Sequence, residues 1–346
     1  MIAVIAASPG RALDPLIAAC RDAGGTELWS PLAAPTWLAR APGPLGRFAS
    51  RRVAGDLAAP PILVVDAVLR AWASDRTDRR YRAEFWLRTA IDAWAATEVR
   101  RRKPRVVIAP SLAARRTFAA ARAIGATCIL VLDVPLLRAL HRDLDRAAAV
   151  WPDRRFLRRF RAPSWAIARQ EAERVLADLV LVRGAYARSL CLADGIPEAR
   201  LGSLPVSPAP APEAPAIPTG RIRLAGLAAA RHGIDTALAA TRNLGLTLVV
   251  RTGEGTEPSD LAQHPGIAID DGPVDAIICP AVCEAYAPEL RSTTIPVIAS
   301  PTASLDGLGP DPYDARAFAT AIEAALCTPR APSPIPSIAP LLAALS

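Results

Sequence analysis

The sequence predicts an α/β protein made of two parallel-sheet units in tandem. Three observations predict it. Short, almost wholly apolar runs alternate with longer amphipathic stretches, the alternation occurs twice, and a proline-dense stretch separates the two series. In the first series strands are expected at 2–7, 62–65, 106–109, 128–132 and 179–182. Helices are expected at about 12–23, 81–101, 113–124, 135–148, 164–176 and 184–193. Runs such as Val106-Val107-Ile108-Ala109 and Leu179-Val180-Leu181-Val182 show no polar alternation, as strands covered on both faces require. The helix at 81–101 runs into Arg100-Arg101-Arg102-Lys103, cations suited to the negative end of a helix dipole.

The stretch 204–220 reads LPVSPAPAPEAPAIPTG. Proline fixes φ and lacks a backbone donor, so this density suits neither helix nor central strand and marks a semi-rigid linker. We place the linker at 206–220, between an amino-terminal unit at 1–205 and a carboxy-terminal unit at 221–346. The last segment of the second unit is a candidate to return to the first. Beyond the linker, strands are expected at 222–225, 246–251, 267–269, 275–279 and 296–299, with helices at 234–242 and 315–327.

Composition narrows the class. The chain has 346 residues, 51% apolar and 21% charged, which supplies buried cores and excludes wholesale disorder and fibrous architecture. No apolar run approaches the ~18–20 residues that span a bilayer. The apolar start lacks a basic leader, so the expected setting is the cytoplasm, with peripheral contact at the inner membrane face left open. Six cysteines stand at 20, 128, 191, 279, 283 and 327. Only Cys279 and Cys283 are close, and histidines at 141, 232 and 264 complete no zinc pattern beside them. Buried thiols are expected there, with no metal and no cofactor.

Charge is asymmetric. Residues 1–200 carry 33 Lys and Arg against 19 Asp and Glu, while residues 201–346 carry 8 against 14. A basic first half suits an anionic partner: a phosphorylated lipid, an acidic membrane surface or nucleic acid. The densest run, Arg154-Arg155-Phe156-Leu157-Arg158-Arg159-Phe160-Arg161 after Trp151, fits an anionic bilayer, or a solvated helix with its aromatics in the core. No recognised motif supports nucleic acid, and none is expected.

Ligands of open α/β sheets bind outside the carboxyl ends of the strands, so the segments just after strands hold the candidates. Gly10, in Ser8-Pro9-Gly10-Arg11, would let a phosphate approach a helix start, or it belongs to an ordinary turn. Gly253-Glu254-Gly255 follows the strand at 246–251, and Pro258 prevents its extension to a dinucleotide fingerprint. Glu284 and Glu289 follow the strand at 275–279 and can accept hydrogen bonds from sugar hydroxyls, or stand as solvated loop acids. Asp133 ends the strand at 128–132, at the expected cleft edge. It is a catalytic candidate on the acceptor side, or a helix-capping acid before Pro135. His141, one helical stretch on, is expected to be an exposed helical residue.

Leu224-Ala225-Gly226-Leu227 through Arg231-His232-Gly233-Ile234 is similar to the strand, glycine loop and helix start of family 4 glycosyltransferases, a family that residues 164–327 resemble. Thr252-Gly253-Glu254-Gly255 is similar to its glycine-acid-glycine turn. Glu289 followed by Ile295-Pro296-Val297-Ile298 is similar to the end of its paired-glutamate motif, and Glu171 through Val182 to its helix and "ala-asp" strand. The resemblance implies the GT-B fold, two Rossmann-like domains whose parallel sheets face a central cleft. It implies a nucleotide-sugar donor and a glycan or lipid-linked acceptor, with the diphosphate held by protein groups and helix ends.

Carried over, Gly226, Arg231, His232, Gly253, Glu254 and Gly255 lie along the donor. Glu284 sits by the donor sugar or its phosphate as a second catalytic candidate, and Glu289 binds the ribose. The sequence departs from the pattern where Leu227 and His232 replace the family's arginine and lysine, and in a shorter loop between the two glutamates. These departures keep two other readings open: a non-catalytic homologue serving as a binding or scaffolding subunit, and another nucleotide-sugar enzyme on the same architecture, such as an epimerase.

Overall fold

The computed structural model describes residues 1–5, 14–31, 62, 65, 66, 68, 69, 72, 77–154, 157, 161–204, 215, 217–251, 265–285, 295–303, 306–327 and 339–345. The first lobe runs β1 (Ile2–Ile5), α1 (Asp14–Asp22), β2 (Thr26–Trp29), α2 (Thr77–Arg102), β3 (Val106–Pro110), α3 (Arg115–Arg122), β4 (Thr127–Val131), α4 (Leu137–Val150), α5 (Ser164–Leu176), β5 (Leu179–Val182), α6 (Ala185–Ala193) and β6 (Leu201–Ser203). The second runs β7 (Arg221–Leu227), α7 (Ile234–Asn243), β8 (Thr247–Arg251), β9 (Ile267–Ile269), β10 (Ala276–Cys279), β11 (Val297–Ala299) and α8 (Ala315–Cys327), followed by α9 (Ala339–Leu345).

Every strand pairing is parallel, in the orders β2-β1-β3-β4-β5-β6 and β11-β10-β7-β8-β9. β1, β3 and β5 of the first sheet are buried along their whole length, and apolar clusters fill both faces of each sheet. The chain thus has the two-sheet, Rossmann-like architecture that the alternation and the resemblance imply. Each sheet has a point where strand order reverses: between β1 and β3 in the first, and between β7 and β10 in the second.

The stretch 62–65 is a correction. Ile62 and Val65 are helical, not strand, and the positions turned inward at 62, 65, 66 and 69 repeat at helical spacing. A short apolar run looks alike for a buried strand and a buried helix turn. The edge strand comes instead from Thr26–Trp29, just after Gly24-Gly25. The linker at 206–220 falls mostly outside the described residues. At the carboxyl end, Leu341 and Leu345 of α9 are buried in the first lobe beside Ile2, Val4 and Leu16, and Arg105 Nη2 donates to Leu345 O at 2.7 Å. Among the described residues no helix is long and apolar enough to cross a membrane.

Candidate functional site

The loops after β7 and β10 flank the second sheet's reversal point, and they are built into one another. Gly226 has φ +79°, beside a register shift in the β7–β8 pairing. A Cβ there would sit 3.0 Å from His232 Nδ1, so the imidazole lies against the bare glycine. Gly233, with φ +77°, is the N-cap of α7; a Cβ on it would fall 1.9 Å from the Pro280 carbonyl oxygen. Only glycine allows this approach. Val282 N–H then donates to Arg231 O at 3.1 Å, and Ser300 Oγ, after β11, donates to Ala281 O at 2.7 Å. Arg231 and His232 stand half-buried in the short turn that enters α7. Among the described residues no side chain caps the N-terminus of α7, whose backbone N–H groups and dipole favour an anion.

Helix α4 of the first lobe packs across this junction. Leu144, Ala147 and Leu157 are buried with Ala230, Val282 and Cys283, and the Trp151 and Tyr313 rings meet at 5.2 Å. Arg154 pairs with Asp235 in the first turn of α7, and Arg146 Nη2 donates to Asp311 at 3.2 Å while its guanidinium lies over Tyr313. Burial pushes the Cys283 thiol up to about 12, so it stays protonated. Cys279 beside it is buried in the strand core, as the reading of both as apolar thiols expects.

Glu284 reaches the other lobe. Its carboxylate accepts the Leu136 N–H at the start of α4 and faces Arg183, which follows β5. Burial raises its pKa to about 8, against the pull of that N–H and of Arg183. Burial likewise lowers the pKa of Arg183, opposed by Asp133 and Glu284. Asp133 lies at the carboxyl end of β4, as its sequence position implies, and both its oxygens are taken. Arg88 Nη1 and Nη2 donate to them at 3.0 and 2.8 Å, and Nη1 also donates to Ser111 O at 2.7 Å. Burial works against the Arg88 charge, but Asp133 and Glu84 more than offset it and hold its pKa above the ordinary value.

The fold therefore brings together Asp133, Glu284, Arg88 and Arg183 on one side, and Gly226, Arg231 and His232 next to them. Gly10, Gly253, Glu254, Gly255 and Glu289 lie outside the described residues. His141 is half-buried: its Nε2 accepts the Ala162 N–H at 2.9 Å, and burial and Arg161 lower its pKa. Of the basic run, Arg154 and Arg161 are tied to Asp235 and Asp145, Leu157 is buried, and the remainder lies outside the described residues. Sequence reasoning missed Arg88 and Arg183. A signal for Arg88 existed: Arg88 and Asp92 are charges four apart on the stripe holding Phe85, Ile91 and Ala95.

The helix start that follows β3, beside the first sheet's reversal point, is closed. Glu173, fully buried, accepts N–H bonds from Leu112, Ala114 and Arg115 at 2.6, 2.9 and 3.1 Å. Asp92 accepts from the Arg116 and Thr117 N–H groups at 2.9 and 2.8 Å. Arg169 bridges the two acids. Burial raises the Glu173 pKa to about 7 against these bonds. The N-terminus of α3, which follows β3 as α7 follows β7, is thus filled by the protein's own carboxylates.

No family model matches the chain, and neither does any curated protein sequence. Among solved structures, the UDP-GlcNAc 2-epimerase of Methanocaldococcus jannaschii, in complex with UDP-GlcNAc and UDP, is similar with a TM-score of 0.51. It is 9% identical, over 95% of this chain and 93% of its own. The UDP-N-acetylglucosamine 2-epimerase of Rickettsia bellii has a TM-score of 0.49 at 10% identity, over 95% and 88%. The glycotransferase of kitacinnamycin has 0.46 at 14% identity, over 95% and 91%. At such identities the likeness is one of fold, carried by the first of them, and it does not single out family 4.

Proposed function

We propose that the chain binds a nucleotide sugar in the cleft between its two sheets and transfers the sugar to a glycan or lipid-linked acceptor. The observation that carries this reading is the N-terminus of α7, capped by no described side chain, at the second sheet's reversal point, with Arg231 and His232 in the turn that enters it. A diphosphate there gains backbone N–H donors, the helix dipole and a guanidinium, which stabilise charge as the nucleoside diphosphate leaves. The acceptor hydroxyl attacks the anomeric carbon. The new C–O bond forms, the bond to the diphosphate breaks, and the hydroxyl proton passes to a base. Glu289 takes the ribose and the Gly253–Gly255 turn lines the donor. That one solved structure of this fold holds UDP-GlcNAc and UDP agrees with the substrate class.

A second reading, a non-catalytic binding subunit, is favoured by a specific observation: Asp133 is held by Arg88, and Glu284 caps α4, so both candidate catalytic acids are bonded within the protein. Thermal unfolding with UDP, GDP and ADP, together with donor turnover, separates the two. A nucleotide at ~100 times its dissociation constant adds about 2.7 kcal/mol of stability. A shift with one nucleotide plus sugar transfer supports the first reading, and a shift without turnover supports the second. No shift with any of them overturns nucleotide-sugar binding altogether. Arg231→Ala should weaken the responding nucleotide by about 1.5–3 kcal/mol.

A further inference from the structure

Tryptophan normally hides most of its ring, yet three tryptophans of the first lobe are turned outward. Trp86 on α2 is 56% exposed and Trp165 at the start of α5 is 38% exposed; their rings touch at 5.4 Å. Trp165 is also edge-on to Phe85, which is buried, so the pair is fixed to the core. Trp72 is 48% exposed, and the Arg79 guanidinium lies 5.4 Å over its ring. Arg79, Arg82 and Trp86 fall at i, i+3 and i+7 of α2 and share one helix face, which joins Trp72 to the Trp86–Trp165 pair.

Charge and position both say what covers this face. Arg79 and Arg82 form no ion pair with a described residue, and Glu84, two residues past Arg82, is already paired with Arg88. Arg88 reaches the carboxyl ends of β3 and β4, so Trp86, Arg82 and Arg79, each further toward the start of α2, stand past that edge. The face therefore borders the mouth of the cleft rather than the far end of the sheet. Indole rings beside guanidinium groups that no described acid pairs match the headgroup zone of a bilayer: the ring sits at the apolar boundary and the cation meets lipid phosphate.

We propose that the Trp72, Arg79, Arg82, Trp86 and Trp165 face docks the protein on an anionic lipid bilayer. Its residues are not those of the basic run at 154–161, to which the sequence pointed. Docking itself does not depend on the donor site. Its purpose, bringing a lipid-linked acceptor to the cleft, rests on the glycosyl-transfer reading above.

The test uses the full chain, without nucleotide, floated with phosphatidylcholine vesicles containing or lacking phosphatidylglycerol. Binding is expected only with the anionic lipid, accompanied by quenching of tryptophan emission by brominated acyl chains. Trp86→Ser with Trp165→Ser should weaken binding roughly ten-fold or more. Arg82→Glu should weaken it at least about five-fold. Arg100→Glu with Arg101→Glu, at the opposite end of α2, should leave it unchanged. Because Trp86→Ser changes an exposed side chain, a single variant with an unaltered melting curve keeps the test valid if the double variant unfolds.

Three results would overturn the proposal: no flotation, flotation lost with Arg100 and Arg101 but not with the tryptophans, or a dimer in lipid-free solution that Trp86→Ser dissociates. Nucleotide-induced stabilisation, measured separately on the same variants, shows whether a failure concerns docking or the donor site.

Discussion

Two helices of this molecule, α3 and α7, each begin beside the reversal point of their sheet and differ in what meets their first turn. Each follows a central parallel strand and starts at the carboxyl edge of its sheet, where backbone N–H groups and the helix dipole invite negative charge. At α3 that invitation is answered internally by Glu173 and Asp92, neutralised in turn by Arg169. At α7 no described side chain answers it, and Gly233 brings the turn against Pro280 so tightly that nothing larger fits. The difference teaches that a helix start filled by internal carboxylates builds a scaffold, whereas one with no described carboxylate and a glycine-tight turn keeps its N–H groups for the proposed ligand.

The comparison can be broken most forcefully at α3. Glu173→Ala leaves three backbone donors and Arg169 without their buried carboxylate, and should cost about 3–5 kcal/mol, read as a lower midpoint in denaturant unfolding. A loss under 1 kcal/mol would mean that water enters this site and that α3 is not sealed. At α7 the sharper test is Gly233→Ala. The φ of +77° alone costs about 1–3 kcal/mol, and the clash with Pro280 must push the β7 and β10 loops apart. Nucleotide-induced stabilisation should disappear while the melting temperature falls only moderately. Retained nucleotide binding would detach the ligand from this turn.

The smallest effect is a pH dependence. The folded-state pKa values of Glu173 and Glu284 are raised, to about 7 and about 8, from an ordinary value near 4.5. The native state therefore holds protons that the unfolded chain releases. The stability these groups contribute is fully present below pH 4.5 and is lost as pH rises through 7 to 8, with a slope of at most about 1.4 kcal/mol per pH unit for each proton. Glu284→Gln should flatten the upper part of this decline, in unfolding curves recorded from pH 5 to 9. An unchanged slope would show that Glu284 is not buried against α4.

Local pattern carried much of this architecture. The helices at 164–176 and 315–327 and the strands at 179–182 and 267–269 have the bounds their periodicity implies. Short segments failed where burial, not pattern, decides. Thr26-Glu27-Leu28-Trp29 alternates too briefly to announce a strand, and 62–65 reads equally well as strand or helix turn. The site was legible as positions along the chain and illegible as partnerships. Asp133 could be placed at a strand end, but its partner Arg88 lies 45 residues earlier and no local spacing couples them. Glu284 could be placed in a loop, but the N–H it accepts belongs to the other lobe. Glu173 was visible only as part of a helix pattern, because its duty is to a helix start some 60 residues away.

The seating of α9 has a consequence for biosynthesis. Leu341 and Leu345 complete the apolar face formed by Ile2, Val4, Leu16 and Leu28, so the first lobe waits for a helix made well after β6. At ribosomal speeds of about 5–20 residues per second, that face stays open to the surrounding medium for roughly seven to thirty seconds after β6 has emerged. The second lobe has its described strands β7–β11 made before the first is sealed.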